Sequence, residues 1–131
     1  MKIEKIDHIC FAVEDLEKTK KIYEENLGLV PVVEYVAESE FIKVARYYIG
    51  DVAVEFMEST SPQGEVAKFI KKRGEGVMLL SFKVPDTVEA MKKLEQAGFQ
   101  LLDKTPRVWE KSRYAFLNPG FMNGVLVEVI D

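Results

Sequence analysis

The stretch Ile6-Asp7-His8-Ile9-Cys10-Phe11-Ala12-Val13 has the composition of a β-strand, and it carries the only histidine of the chain. A similar stretch, Val77-Met78-Leu79-Leu80-Ser81-Phe82-Lys83-Val84, follows about seventy residues later. Each stretch leads into a helical pattern that begins at an aspartate, Asp15 in the first case and Asp86 in the second. Such a repetition indicates that one structural unit occurs twice in the chain.

A second pair of stretches strengthens the evidence for duplication. Gly50-Asp51-Val52-Ala53-Val54-Glu55-Phe56-Met57 resembles Asn123-Gly124-Val125-Leu126-Val127-Glu128-Val129-Ile130, and Glu55 falls on Glu128. Both stretches read as strands whose apolar side chains alternate with a single acidic one. The duplicated unit therefore ends in a strand that carries a glutamate.

The pattern between these stretches predicts the remaining elements. We predict helices over 16–27, 65–73 and 88–97, strands over 29–37, 41–49, 52–58, 99–103, 113–118 and 125–130, and a loop over 104–112. Runs of strands with one helix each favour an α+β fold over a doubly wound parallel sheet. The predicted fold class is α+β, with two tandem βαβββ modules whose sheets curve round a shared cavity. A single domain over 1–131 would then contain module one at about 1–58, a connector helix at about 59–76 and module two at about 77–131.

The bulk composition excludes several classes of protein. With 131 residues and a net charge of −4, the chain has the size of one domain and no excess of basic residues for nucleic acid. No apolar run reaches the roughly 18 residues of a membrane span, and the first residues show no signal peptide. A single cysteine cannot form an internal disulfide. We therefore expect a cytoplasmic protein that acts on a small molecule, with no nucleic-acid or membrane partner.

Alternation along the predicted strands places three polar side chains away from the helices. His8 lies on the less apolar face of its strand, and Glu55 and Glu128 point opposite to core-facing valines. An imidazole and two carboxylates form a reasonable site for zinc, nickel, cobalt or manganese, or for acid–base chemistry. The alternative is that His8 is a structural histidine and that both glutamates are exposed.

Several neighbouring residues leave the interpretation open. Leu79 occupies the position that matches His8 in the second copy, and it cannot bind a metal. Cys10 either donates a thiolate or fills space as a small buried side chain. Trp109, between basic residues in 107–113, either contacts an aromatic or anionic ligand or packs on its own domain. Arg46 is unusual for a hairpin strand, and the register of that strand is open.

Three segments carry a resemblance to a known family: Asp7-His8-Ile9 through Val13; Ser61-Pro62 followed by Lys68-Phe69-Ile70-Lys71-Lys72-Arg73-Gly74-Glu75-Gly76; and Ala115-Phe116-Leu117-Asn118-Pro119 through Gly124-Val125-Leu126-Val127-Glu128. With them the chain resembles the vicinal oxygen chelate superfamily of glyoxalases, bleomycin-resistance proteins and extradiol dioxygenases. Within that superfamily it looks most similar to the methylmalonyl-CoA epimerases.

The resemblance implies a divalent metal held by His8, Glu55 and Glu128, with Glu128 and Glu55 as the catalytic carboxylates and a homodimer as the assembly. Two departures fall on the implied site. Leu79 stands where the family has its second metal-binding histidine, and 108–112 replaces a glycine-rich loop.

Two functions follow from this resemblance. The first is metal-assisted proton transfer next to a carbonyl, by an epimerase, isomerase or lyase. The second is a metal-free protein that binds a small molecule, confers resistance, or uses the same three side chains as acids and bases.

Overall fold

The computed structural model describes all residues from Met1 to Asp131, and its elements alternate as the duplication predicts. The α-helices are α1 (Leu16–Lys21), α2 (Glu65–Arg73) and α3 (Thr87–Gln96), with a π-helical turn at Ile22–Asn26 and 3-10 turns at Glu38–Glu40 and Pro119–Phe121. The strands are β1 (Lys5–Ala12), β2 (Pro31–Ala37), β3 (Ile42–Ile49), β4 (Val52–Ser59), β5 (Gly76–Lys83), β6 (Arg107–Trp109), β7 (Ser112–Leu117) and β8 (Leu126–Ile130). The βαβββ order written twice and the α+β class are confirmed.

The chain divides into two compact units. The 9–78 unit contains Ile9–Met78, and the terminal unit contains Met1–His8 with Leu79–Asp131. The strand order is β2-β3-β4-β1 in the 9–78 unit and β1-β5-β8-β7-β6 in the terminal unit, because β1 contributes its second half to the former and its first half to the latter. In the terminal unit β5 and β8 run parallel, whereas β8, β7 and β6 pair antiparallel.

The core of the 9–78 unit forms where α1 packs on the sheet. Phe56 is its centre, with the rings of Tyr23 and Phe11 at centroid distances of 4.5 and 5.2 Å. Val13 and Leu16 are buried in the same cluster. The predicted helix-facing sides of β1 and β4 are therefore confirmed, and the alternate side chains of both strands point to the other face of the sheet.

The core of the terminal unit forms between α3 and the strands β7 and β8. Met91 and Leu94 of α3 pack with Val127 and Val129 of β8 and with Leu117 of β7. Because side chains alternate along β8, Glu128 lies on the face that α3 does not cover.

The predicted strand over 99–103 is wrong, and the predicted loop over 104–112 contains a strand instead. Only Leu101 makes a bridge, to Leu117. The Asp103 carboxylate accepts a hydrogen bond from the backbone N–H of Phe116 at 2.9 Å. A side chain therefore binds the N–H group that a backbone ladder would use at this position. Pairing resumes at β6, which joins β7 antiparallel through a tight turn where Glu110 has a left-handed φ of 54°.

The first helix also differs from its prediction. The α-helical part ends at Lys21, and the chain continues as a π-helical turn over Ile22–Asn26. After this turn Leu29 N–H donates to Tyr23 O at 3.0 Å and closes the end of the helix. Leu27, predicted to continue the apolar stripe, is 63% exposed. The wider π turn holds an extra residue, which rotates the following side chains relative to an α-helix. The other element boundaries lie within two residues of their predictions.

Gly64, which precedes α2, occupies a position where a larger side chain does not fit. A Cβ built there would lie 2.5 Å from Ser59 Oγ and 3.3 Å from Phe41 O, although its φ of −71° suits any residue. We expect Gly64→Ala to lower the free energy of unfolding by about 1–3 kcal/mol, measured in urea. The double variant S59A/G64A should recover part of this loss because it removes the nearest atom. A Gly64→Ala protein as stable as the wild type would contradict the close approach.

Asp131 follows β8 and forms hydrogen bonds with residues of α3 and β7. Its carboxylate accepts from Thr87 N at 2.9 Å, from Arg113 N at 3.0 Å and from Arg113 Nε at 2.9 Å. Burial alone would raise the pKa of Asp131, but these hydrogen bonds and the Arg113 charge outweigh it and lower the pKa below its usual range.

A depressed pKa in the folded state makes this contribution to stability pH-dependent. The contribution is complete above the unfolded-state pKa of about 3.9 and is lost as the pH falls through the lower folded-state pKa. We expect Asp131→Asn to lower stability at pH 6 and to flatten the fall in stability below about pH 4. Urea midpoints measured over that range check this, and parallel curves for the two proteins would contradict it.

Candidate functional site

His8 and Glu128, predicted as functional from the sequence, lie together in the terminal unit. His8 Nε2 is 3.4 Å from Glu128 Oε1, and the two residues are only 8% and 5% exposed. β1 supplies the imidazole and β8 supplies the carboxylate from the face opposite to the α3 core. An acid and a base at this distance, away from bulk water, can exchange a proton with each other or with a bound molecule.

Two further side chains extend this pair. Asp7 Oδ2 lies 2.7 Å from His8 Nδ1, and Ser81 Oγ donates to Glu128 Oε1 at 2.5 Å. With Asp7 accepting the Nδ1 proton, the imidazole presents Nε2 to Glu128. Ser81 is placed opposite Glu128 by the parallel register of β5 and β8. The result is a relay, defined here as Asp7, His8, Glu128 and Ser81, in which Asp7 is partly exposed and the other three residues are buried.

Glu55 lies in the 9–78 unit, where both of its carboxylate oxygens have partners. Arg46 Nη1 donates to Oε2 at 2.6 Å, and Cys10 Sγ donates to Oε1 at 3.3 Å. The antiparallel register of β3 and β4 sets Arg46 directly opposite Glu55. Burial alone would lower the pKa of Arg46, but hydrogen bonds with Tyr48 and Glu55 raise it above its usual range. This 5% exposed carboxylate is therefore neutralised by a permanent cation.

The two units contain equivalent pairs that follow the internal repeat. Cys10 donates to Glu55 in one unit, and Ser81 donates to Glu128 in the other. The sequence analysis did not predict Ser81 as a site residue. The offset in residue number that aligns Phe11 with Phe82 in the second copy also aligns Cys10 with Ser81. A small donor on the first strand of each copy thus holds the glutamate on the last strand.

The two copies differ in what surrounds each glutamate. Phe116 stands opposite Glu128 in the β7–β8 register, where the first copy has Arg46 opposite Glu55. Leu79 is buried and pairs with Leu126. Tyr114 packs edge-to-face on Phe116 at 5.8 Å. Glu128 therefore has aromatic and aliphatic neighbours, whereas Glu55 has a guanidinium.

The donor set matches a resident divalent metal only in part. Two ligands at about 2.0–2.2 Å from a tetrahedral ion lie about 3.4 Å apart, as His8 Nε2 and Glu128 Oε1 do. Asp7 behind the imidazole is also a common arrangement in metal sites. The guanidinium on Glu55 and the apolar Leu79 do not fit, because a fixed cation repels a divalent ion and an alkyl group cannot bind one. As a set, these residues do not fit the ion, so no step below passes through it, and the metal stays a prediction.

The remaining predicted features lie on the surface. Trp109 belongs to β6 and is 51% exposed. Arg107 lies over the ring of Phe116 at 4.9 Å and pairs with Asp103 at 2.8 Å. The basic residues at the end of α2 follow the usual preference of a helix C-terminus for positive charge. No helix of the structure is long and apolar enough to cross a membrane.

Comparisons with known proteins agree with the duplicated fold. The uncharacterized protein YqjC of Bacillus subtilis (strain 168) is 30% identical over 128 residues, which cover 97% of this chain and 91% of that protein. The mitochondrial methylmalonyl-CoA epimerase of Dictyostelium discoideum is 28% identical over 131 residues, covering 97% and 78%.

A solved structure shows the same similarity in three dimensions. A variant of the Streptomyces coelicolor methylmalonyl-CoA epimerase, in complex with 2-nitronate-propionyl-CoA, matches with a TM-score of 0.91 and 29% identity over 98% of this chain and 97% of that chain. The profile of the glyoxalase/bleomycin resistance protein/dioxygenase superfamily matches residues 7–116. This chain therefore belongs to the glyoxalase/bleomycin resistance protein/dioxygenase superfamily.

Proposed function

We propose that this protein is an epimerase or isomerase that moves a proton at the carbon next to the carbonyl of a small acyl thioester. The observation that carries the proposal is the relay, in which an imidazole held by Asp7 faces a carboxylate held by Ser81. The similarity to methylmalonyl-CoA epimerases supports an acyl-CoA as the substrate class.

In the proposed reaction Glu128 removes the proton next to the carbonyl. The C–H bond breaks, the proton passes to Glu128 or to His8 Nε2, and the electron pair moves to the carbonyl oxygen to give an enolate. Delivery of a solvent proton to the other face of the carbon inverts its configuration, and the proton held by Glu128 or His8 is released to solvent. Asp7 stabilises the imidazolium that forms when His8 holds the proton, and Ser81 keeps the Glu128 carboxylate in place.

Exchange of the substrate proton with solvent tests this proposal. Methylmalonyl-CoA and propionyl-CoA are incubated with the protein in D₂O, and deuterium at the carbon next to the carbonyl is measured by NMR and mass spectrometry. We expect exchange above the uncatalysed rate, and we expect EDTA to leave it unchanged because no step needs a metal. Absence of exchange with these compounds and with a set of other 2-substituted acyl-CoA esters would overturn the proposal.

A metal-assisted form of the same reaction, by an epimerase, isomerase or lyase, is the second candidate. The orientation of His8 by Asp7 favours it. In that form His8, Glu128 and Glu55 would be the ligands of the ion, as the family resemblance implies. Elemental analysis of protein purified without added metal, with loss of exchange in EDTA and its return with Co²⁺, would support this form over the metal-free one.

A metal-free binding or resistance-type protein is the third candidate. The apolar and aromatic neighbours of Glu128, namely Leu126 and Phe116, favour it because such groups line sites for organic ligands. Thermal shifts with aromatic and apolar compounds, unaffected by EDTA and without any exchange activity, would distinguish this function.

The homodimer and the cytoplasmic location remain predictions. The edge strand β2 exposes Val32, Val33 and Val36, which supports an association of two copies. Light scattering at micromolar concentration measures the mass directly. A mass of one chain at every concentration would contradict the dimer.

A further inference from the structure

We propose that Arg46 takes the place of a divalent metal at Glu55 and makes this carboxylate unavailable to metal ions. The proposal concerns the cation specificity of the 9–78 unit. It does not depend on the reaction proposed above, because it can be measured without a substrate.

The geometry at Glu55 is that of an occupied cation site. Arg46 Nη1 lies 2.6 Å from Oε2, and the second oxygen accepts from Cys10 Sγ at 3.3 Å. A guanidinium and a carboxylate at this distance form a charge-assisted hydrogen bond, which is among the stronger polar contacts in proteins. Glu55 therefore meets its cation and its second hydrogen-bond donor from within its own unit.

The position of Arg46 is fixed by the fold. The β3–β4 register sets it opposite Glu55, and Arg46 Nη2 also donates to Tyr48 Oη at 3.2 Å. Its guanidinium lies 5.3 Å from the centre of the Tyr48 ring. Only 21% of the side chain is exposed. A guanidinium held in this way cannot leave Glu55 at a small cost, as a lysine on a flexible stem would.

A divalent ion would have to displace this guanidinium or bind beside it. Two cations within a few ångströms of each other repel strongly where water is scarce. In the internal repeat the matching position opposite Glu128 is Phe116, so the register places an arginine opposite the glutamate in one copy only. The residue that determines metal binding at Glu55 is therefore Arg46.

Cobalt binding tests this inference, because Co²⁺ can be followed by its visible absorption and by calorimetry. We expect the wild type to bind Co²⁺ weakly, in the millimolar range or above. Arg46→Met should bind at least tenfold more tightly. The double variant R46M/E55Q is the matched control, since it lacks both the guanidinium and the carboxylate and should lose the gain. Circular dichroism and thermal melting with and without Co²⁺ show whether each variant is folded.

A second arm keeps the proposal testable if Arg46→Met fails to fold. Leu79→His supplies the imidazole that the family resemblance implies at this position, while it leaves Arg46 in place. We expect this variant to gain less than threefold in Co²⁺ affinity. Micromolar Co²⁺ binding by the wild type that Glu55→Gln abolishes, a large gain from Leu79→His that L79H/E55Q loses, or no gain in a folded Arg46→Met protein would each overturn the proposal.

Discussion

Glu128→Gln is expected to lower the rate constant of substrate proton exchange by about 10²–10⁴-fold. Glutamine has the size of glutamate and still accepts the hydrogen bond from Ser81, but it cannot take a proton from carbon. The fold should be unchanged because the side chain keeps its shape. Exchange of methylmalonyl-CoA in D₂O, measured as kcat and KM separately, checks the prediction, and the loss should fall on kcat.

Two control variants separate a chemical role from a structural one. Glu89→Gln changes an exposed glutamate on α3 and should leave exchange unaffected. Ser81→Ala removes the hydrogen bond that orients Glu128, so we expect a smaller fall in kcat. Ser81→Cys should recover part of that fall, because Cys10 performs the equivalent contact in the other copy. Exchange by Glu128→Gln at the wild-type rate would remove Glu128 from the proposed mechanism.

The duplication in the sequence was enough to predict most of the fold. Strand periodicity identified β1, β4, β5 and β8, and the repeat predicted the same order of elements for both halves. The segment 99–103, which was predicted as a strand, is the exception. The segment 99–103 is apolar enough for a strand, but the Asp103 side chain takes the N–H of Phe116 that a ladder would need. Hydrogen bonding from a side chain to a distant backbone group leaves no periodic signal.

The candidate site was only partly predictable for a related reason. His8 and Glu128 stood out because their residue types are rare or repeated at matching positions. Ser81 could have been found from its match with Cys10. Arg46 could be noticed but not assigned, since its partner depends on the β3–β4 register, and one residue of slip would turn it to the other face. Sequence patterns therefore identify the acids and bases better than the groups that neutralise them.

Replacing one partner of the Arg46–Glu55 ion pair should destabilise the protein more than replacing both partners. Arg46→Met leaves a buried carboxylate without its cation, and we expect the free energy of unfolding to fall by about 2–4 kcal/mol. The double variant R46M/E55M replaces the pair with two apolar side chains of similar size, so it should lie within about 1 kcal/mol of the wild type. Urea unfolding in buffer with EDTA measures all variants, including Glu55→Met, as a double-mutant cycle.

The size of the coupling measures how much the Arg46 guanidinium contributes to holding the Glu55 carboxylate in the interior. An exposed pair such as Lys92 and Glu89 on α3 should show a coupling below about 1 kcal/mol, and it serves as the reference. A coupling as small for Arg46 and Glu55 would mean that water, rather than the guanidinium, stabilises the charge of Glu55. A large coupling, with stability restored to Arg46→Met by Co²⁺ in the absence of EDTA, would mean that one carboxylate accepts either cation. Arg46 would then be the residue that allows the protein to keep a buried carboxylate at position 55 without a metal ion.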